Sequence, residues 1–142
     1  MAVGLIRLYE ATGKQEYLVM AGLAASWLLG NNAAGQPMYD PSTGRCYDGI
    51  RDSTTINKNS GAESTIEALG TLQEVEHYDL ARSFIHARRV RISVSRDVLA
   101  ALFAVPGGEE TVVSVELKSK SLQVIRGSEG KAYMDRLVAT NR

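Results

Sequence analysis

Apolar residues in the first thirty positions recur at the spacing of α-helices. Residues 3–9 carry an apolar stripe that ends at Thr12-Gly13, and glycine tolerates the left-handed conformation that commonly ends a helix. Residues 14–29 are apolar nearly all round, so a second, buried helix is expected. Gly30-Asn31-Asn32 then ends this helix. The pattern predicts an αα-hairpin.

A third helix is predicted to begin at Ser60. Ser60 and Glu63 have the S-x-x-E spacing of a capping box, in which each side chain bonds the other residue's backbone amide. The helical pattern continues to about His77, and one face is predicted to be apolar along Ala62, Ile66, Leu69, Leu72 and Val75.

The spacing of apolar residues changes after Asp79 from that of a helix to that of a strand. Residues 90–94 alternate between apolar and polar, as do later segments, so strands are expected at 90–94, 111–117, 122–125 and 132–138. Residues 97–104 fit either a helix or a strand. The order of helices followed by strands predicts an α+β fold, with a helical segment at 1–79 and a small antiparallel β subdomain at 80–142.

Charge and cysteine content narrow the class of protein. Lys and Arg total 16, as do Asp and Glu, so no net field recruits nucleic acid. The most apolar stretch, residues 17–29, is shorter than the ~20 residues of a membrane-spanning helix, so no membrane partner is expected. The single cysteine excludes an internal disulfide and favours a cytoplasmic location.

Residues 31–60 form a long connection rich in Gly, Asn and Asp, which we call the crossover. Connections of this length inside compact domains are usually functional or disordered. Tyr39, Cys46 and Tyr47 are expected to anchor the crossover to a core. Carboxylates and amides gather toward the start of the third helix and have the composition of a polar-ligand site: Asp40, Asp48, Asp52, Asn57, Asn59 and Glu63.

Several of these segments resemble the last hairpins of six-hairpin, (α/α)6-toroid glycosidase-like proteins. The likeness covers residues 1–79, and its most specific part is the N-x-N-x-G-A-E-S-T element at 57–65, which follows the Asp48-Gly49 loop. A closed toroid needs twelve helices, on the order of 200 residues, and this segment supplies three or four. The other helices would belong to a longer protein or another chain, unless a small fold reuses the motif. Residues 80–142 loosely resemble the β-sandwich modules of carbohydrate enzymes.

The resemblance implies a carbohydrate partner and, if the protein is an enzyme, hydrolysis of a glycosidic bond. Glu63 and Asp48 would then be the two catalytic carboxyl groups, either one as the acid and the other as the base, because this reaction uses two carboxyl groups in different protonation states. The substrate-binding groups would be Asp40, Tyr39, Tyr47, Asn57 and Asn59. Glu63 as a cap alone and Asp48 as a turn residue remain alternatives. No metal or cofactor is expected.

A competing hypothesis is a non-catalytic assembly module. A three-helix layer whose second helix is apolar all round needs cover on both sides. This hypothesis predicts that an identical chain or another protein completes the helical layer.

Overall fold

The computed structural model describes residues 1–140, which fold as two compact units. Helices occupy the first unit, Met1–His86, and an antiparallel sheet dominates the second, which begins at Ala87. The predicted α+β class is confirmed. The predicted segments meet at residues 79 and 80, whereas the structure keeps residues 80–86 with the helical unit because a short helix there packs against the second helix.

Four helices build the first unit. They are α1 (Ala2–Thr12), α2 (Glu16–Ser26), α3 (Ala62–Glu76) and α4 (Asp79–Ser83), and a 3₁₀ turn at Trp27–Leu29 extends α2. Gly13 and Gly30 follow α1 and the 3₁₀ turn with φ of 71° and 102°, the left-handed geometry that glycine adopts without strain. The predicted αα-hairpin is therefore confirmed.

The core of this unit is centred on α2. Its buried side chains come from all four helices and the residues after α4: Ala2, Ile6, Leu18, Ala21, Ala25, Val75, Ala81 and Ile85. Gly22 lies where α2 crosses α4, and a Cβ atom there would meet the Ala81 carbonyl and approach Phe84 Cβ to 2.8 Å. A residue without a side chain therefore sets the approach of the two helices.

The crossover is ordered by two very short hairpins. Strand β1 (Tyr39–Asp40) pairs with β2 (Arg45–Cys46), and β3 (Gly49–Ile50) pairs with β4 (Ile56–Asn57). Each strand has two residues, too few for alternation of apolar and polar side chains to mark it in the sequence.

The predicted buried face of α3 is partly wrong. Ile66 is 66% exposed and Leu69 is 42% exposed, whereas Ala68 is buried. The helix turns its small residue toward Met38 and Cys46 of the crossover, so the larger side chains point outward. Trp27, which belongs to the segment 14–29 expected to form a buried helix, is 38% exposed.

The second unit is one four-stranded sheet with a helix. Strands β5 (Arg88–Val94), β6 (Val98–Ala104), β7 (Thr111–Glu116) and β8 (Ser121–Arg126) pair in sequence order, all antiparallel. The ambiguous segment at 97–104 is a strand. The predicted strands at 90–94, 111–117 and 122–125 lie within or overlap β5, β7 and β8.

The expected strand at 132–138 is wrong, because helix α5 (Gly127–Thr140) occupies this segment. Met134 packs with Ala100, Leu102 and Val112 of the sheet, and Leu137 lies against the same cluster. Apolar positions three residues apart share one side of a helix, so the segment covers the sheet as a helix. The second layer is thus helical, unlike that of a β-sandwich.

None of the helices formed by residues 1–140 is long and apolar enough to cross a bilayer.

Replacing Gly22 should separate α2 from α4. We expect Gly22→Ala to lower the free energy of unfolding by at least about 2 kcal/mol, because the added methyl group has no room beside backbone atoms. Gly4→Ala in α1 is the matched control, since a Cβ there meets nothing within 4 Å. This control should raise the free energy of unfolding by about 0.5–1 kcal/mol, because Ala is favoured over Gly inside a helix. Urea unfolding measures both variants. Equal effects would contradict the proposed steric role of Gly22.

Candidate functional site

The carboxylate of Asp48 joins the crossover to the start of α3. Asp48 Oδ1 accepts hydrogen bonds from the Gly61 backbone N–H at 3.0 Å and from the Ser64 hydroxyl at 2.7 Å. The first amides of a helix lack intrahelical partners and carry a partial positive charge, so an anion there is stabilised. Asp48 therefore supplies from a distant loop the contact that a capping residue normally supplies locally.

The predicted capping box does not form. Gly61 occupies the N-cap position of α3, and no side chain of that residue can bond the first turn. The Ser60 hydroxyl instead lies 3.4 Å from the Thr65 hydroxyl. Within residues 1–140, the Glu63 carboxylate makes no hydrogen bond or ion pair, and Glu63 is exposed in the first turn. The cap function that sequence spacing assigned to Glu63 belongs to Asp48.

Backbone hydrogen bonds hold the crossover against the hairpin and α3. Met38 N–H donates to the Leu28 carbonyl at 2.8 Å, and Tyr47 N–H donates to the Met38 carbonyl at 2.9 Å. Asp48 N–H donates to the Asn59 carbonyl at 2.8 Å. The Thr65 hydroxyl accepts from Cys46 N–H at 3.2 Å. The backbone on both sides of Asp48 is therefore held in place by contacts other than those of the Asp48 side chain.

A small hydrophobic cluster anchors the crossover, as the three predicted anchors required. Leu28, Met38, Cys46 and Ala68 are buried in it, and Tyr39 and Tyr47 pack against it half-buried. Burial raises the pKa of the Cys46 thiol, and the nearby Asp48 charge adds to the rise. The thiol is therefore protonated at neutral pH, which fits the predicted packing role and not a nucleophile.

Several polar groups of the crossover have no protein partner in the part of the chain that the structure describes. Among residues 1–140, the hydroxyls of Tyr39 and Tyr47 make no hydrogen bond, and neither does the Asn59 side chain. Asn57 Oδ1 accepts the Asn59 N–H at 3.2 Å, and Asn57 pairs with Gly49 next to Asp48. Asp48, Asn57 and Asn59 are thus brought together by the second hairpin and the following turn.

Asp40, a predicted site residue, is instead committed to its own turn. Its Oδ1 accepts from the Ser42 N–H and hydroxyl at 2.9 and 2.7 Å, and its Oδ2 accepts from Thr43 at 3.0 Å. These contacts lower its pKa, the Ser42 hydroxyl most. Asp52 forms the same kind of turn with Thr54. The Asp-x-Ser/Thr spacing in the sequence is the signal for such turns.

The hydrogen bonds of Asp48 determine its protonation state at neutral pH. The Gly61 N–H lowers the pKa of Asp48, and the Ser64 hydroxyl lowers it further. Asp48 is therefore ionised at neutral pH and suits a base or a hydrogen-bond acceptor, not a proton donor. Within residues 1–140, no three His, Cys, Asp or Glu side chains are grouped so that they could hold a metal ion.

Comparison with models of known protein families gives no match, and comparison with curated proteins gives none either.

Removing the Ser64 hydroxyl should raise the pKa of Asp48 toward its ordinary value of 3.8, because one of two donors to the charged form is lost. A carboxyl-carbon NMR titration of Ser64→Ala measures this change. Thr54→Ala is the control, since it should raise the pKa of Asp52 and leave Asp48 unaffected. An unchanged Asp48 titration in Ser64→Ala would show that the hydroxyl contact is not made in solution.

The same contacts predict a pH dependence of stability. A carboxyl group whose pKa is lower in the folded protein stabilises the fold above its unfolded pKa, ~3.9, and that stabilisation is lost as the pH falls through the folded value. Asp48→Asn should therefore lose less stability than the natural protein between pH 5 and pH 2, measured by urea unfolding. An identical loss in both proteins would contradict the role of the Asp48 charge.

Proposed function

We propose that this chain contributes part of a saccharide-binding site to a carbohydrate-active protein of the glycoside hydrolase type. The single observation that carries the proposal is a set of polar side-chain groups that have no hydrogen-bond or ion-pair partner within residues 1–140, beside a crossover fixed by Asp48: those of Tyr39, Tyr47, Asn59 and Glu63. An ordered loop whose polar groups are open to solvent is pre-organised for a ligand that offers many hydroxyls.

The chemistry of these groups suits a sugar. A pyranose ring has an apolar face that packs on an aromatic ring, and hydroxyls that exchange hydrogen bonds with amides and carboxylates. Tyr39 and Tyr47 each have one part held in the hydrophobic cluster and another part exposed. Asn57, Asn59 and Glu63 would supply the polar contacts. Asp40 would support the first hairpin and would not contact the ligand directly.

In the larger architecture, residues 1–79 would be a terminal hairpin and an inner helix of an (α/α)6 barrel, with its other helices supplied from outside this chain. If that assembly hydrolyses glycosides, the ionised Asp48 would act as base and Glu63 as acid. The single, buried cysteine supports residence in the cytoplasm.

A second candidate function is assembly, and one observation favours it. Ala62, Ile66 and Leu69 form an exposed apolar line on α3, at the spacing of one helical face. We call this line the α3 stripe. Surfaces of this kind commonly bind another protein, so a partner chain would complete the helical layer of the first unit.

Glycan binding tests the first proposal. A glycan array followed by calorimetry on the strongest ligand should show at least ~10-fold weaker binding by Tyr47→Ala and Glu63→Gln, a loss of ~1.4 kcal/mol for each. Glu16→Gln, the first-turn glutamate of α2, is the matched control and should bind normally. Circular dichroism confirms folding of each variant. If no glycan binds the natural protein, or Glu63→Gln and Glu16→Gln bind equally, the saccharide proposal fails.

A further inference from the structure

The sheet of the second unit has one covered face and one apolar face without a helix. Helix α5 packs on the side that presents Ala100, Leu102 and Val112. Neighbouring residues along a strand point to opposite faces, so the register of the four strands defines the other side. We call it the outer sheet face, and its side chains are Ile92, Val94, Leu99, Ala101, Phe103, Val113, Val115, Leu122 and Val124.

This face is exposed toward β5 and β6. Ile92 is 50% exposed, Val94 is 66% exposed and Leu99 is 40% exposed. These residues are cross-strand neighbours, since Val94 pairs with Leu99 and Ile92 with Ala101. Contiguous apolar exposure on a folded protein marks an interaction surface, whereas single exposed apolar residues do not.

Charge restricts what can cover the outer sheet face. Arg89 and Arg126 lie at one end of it, in register with Phe103 and Thr111. Residues from Ala87 onward carry ten Lys and Arg against six Asp and Glu, a net charge of +4. Two such faces packed on each other would bring like charges together, which costs free energy at an interface. An apolar surface with acidic flanks is the complementary partner.

The α3 stripe of the first unit has these properties. Helix α3 contains four Glu and no Lys or Arg. Glu74 pairs with Arg7 and Glu76 lies 3.8 Å from Arg82. Glu63 and Glu67 therefore carry the negative charge next to the stripe. Residues 1–86 carry six Lys and Arg against ten Asp and Glu, a net charge of −4. The apolar line of Ala62, Ile66 and Leu69 therefore lies on an acidic helix within an acidic unit.

The α3 stripe fits within the length of the strands that would receive it. From Ala62 to Leu69 the stripe spans seven residue steps along the helix, which at ~1.5 Å each is ~11 Å. Strands β5 and β6 have 7 residues each, which at ~3.3 Å per residue gives ~23 Å. The other face of the same sheet already accepts a helix, α5, so a second helix would produce the common arrangement of a sheet between helical layers.

We propose that the α3 stripe of one copy of this chain packs on the outer sheet face of a second copy. The proposal rests on the second candidate function and identifies its partner as an identical chain. In a two-fold dimer each copy gives one stripe and receives one, so the contact occurs twice. Four footprints of the α3 stripe, each ~11 by ~10 Å, amount to ~440 Å², so the apolar contact has the size of a weak, transient interface.

Analytical ultracentrifugation of the full chain at 1–100 μM tests the dimer. The natural protein is expected to dimerise in this range, and Ile66→Glu and Val94→Glu are each expected to weaken dimerisation at least ~10-fold. Leu8→Glu on α1, where Leu8 is 46% exposed, is the matched control and should dimerise normally. Because α3 is acidic and the sheet rim basic, dimerisation should also weaken as salt rises.

Cysteine cross-linking identifies the surfaces directly. Leu69→Cys and Val94→Cys chains, mixed in a glutathione redox buffer, should form a disulfide-linked heterodimer in higher yield than a mixture of Leu8→Cys and Val94→Cys. The native Cys46 is buried and does not compete. A natural protein that stays monomeric at 100 μM, or equal cross-linking in the two mixtures, overturns the proposal. Neither result bears on the glycan-binding test, which measures how substitutions of Tyr47 and Glu63 change the binding of an added glycan.

Discussion

The contact between Asp48 and the amino end of α3 is the constraint on which the candidate site depends. A carboxylate from one segment satisfies a helix amide and a helix hydroxyl that no nearby residue satisfies. The contact fixes the end of the crossover to the helix that carries Glu63, and it also keeps Asp48 ionised. The position of the Asp48 carboxylate and its protonation state therefore have the same physical cause. A lost charge at this residue would affect both the geometry of the site and its chemistry.

Some side chains of the crossover anchor it to the first unit, and others are left accessible to a ligand. Met38 and Cys46 are buried against Leu28 and Ala68, and Asp40 and Asp52 close local turns. These contacts offset the entropy of ordering a long connection. Because the anchoring contacts formed within residues 1–140 do not use them, the side chains of Asn59 and Glu63 and the hydroxyls of both tyrosines remain available. This division explains how a polar, glycine-rich segment can be ordered and still present groups to a ligand.

Each of the two units has an apolar surface that its own helices and strands leave exposed. In the first unit, small Ala68 faces the crossover, and this orientation turns Ile66 and Leu69 outward. In the second, one helix covers one face of a sheet that is apolar on both sides. The units also carry opposite net charge. The proposed association between two copies therefore combines burial of apolar surface with charge complementarity between an acidic helix and a basic sheet.

The sequence by itself determined the features that depend on neighbouring residues. The αα-hairpin, the helix ends at Gly13 and Gly30, and strands β5, β7 and β8 follow from local periodicity and glycine geometry. The sequence also predicted which polar residues the crossover contains and which aromatic residues anchor it. Tertiary structure alone decided which of those residues meet. Asp48 reaches an amide thirteen positions away, so Ser60 and Glu63, whose spacing fits a cap, are not used as one. Tertiary packing also chose helix over strand for residues 132–138 and turned α3 toward Ala68. In each case long-range contacts outweighed a local pattern, because burial against a specific partner is worth more free energy than a spacing preference.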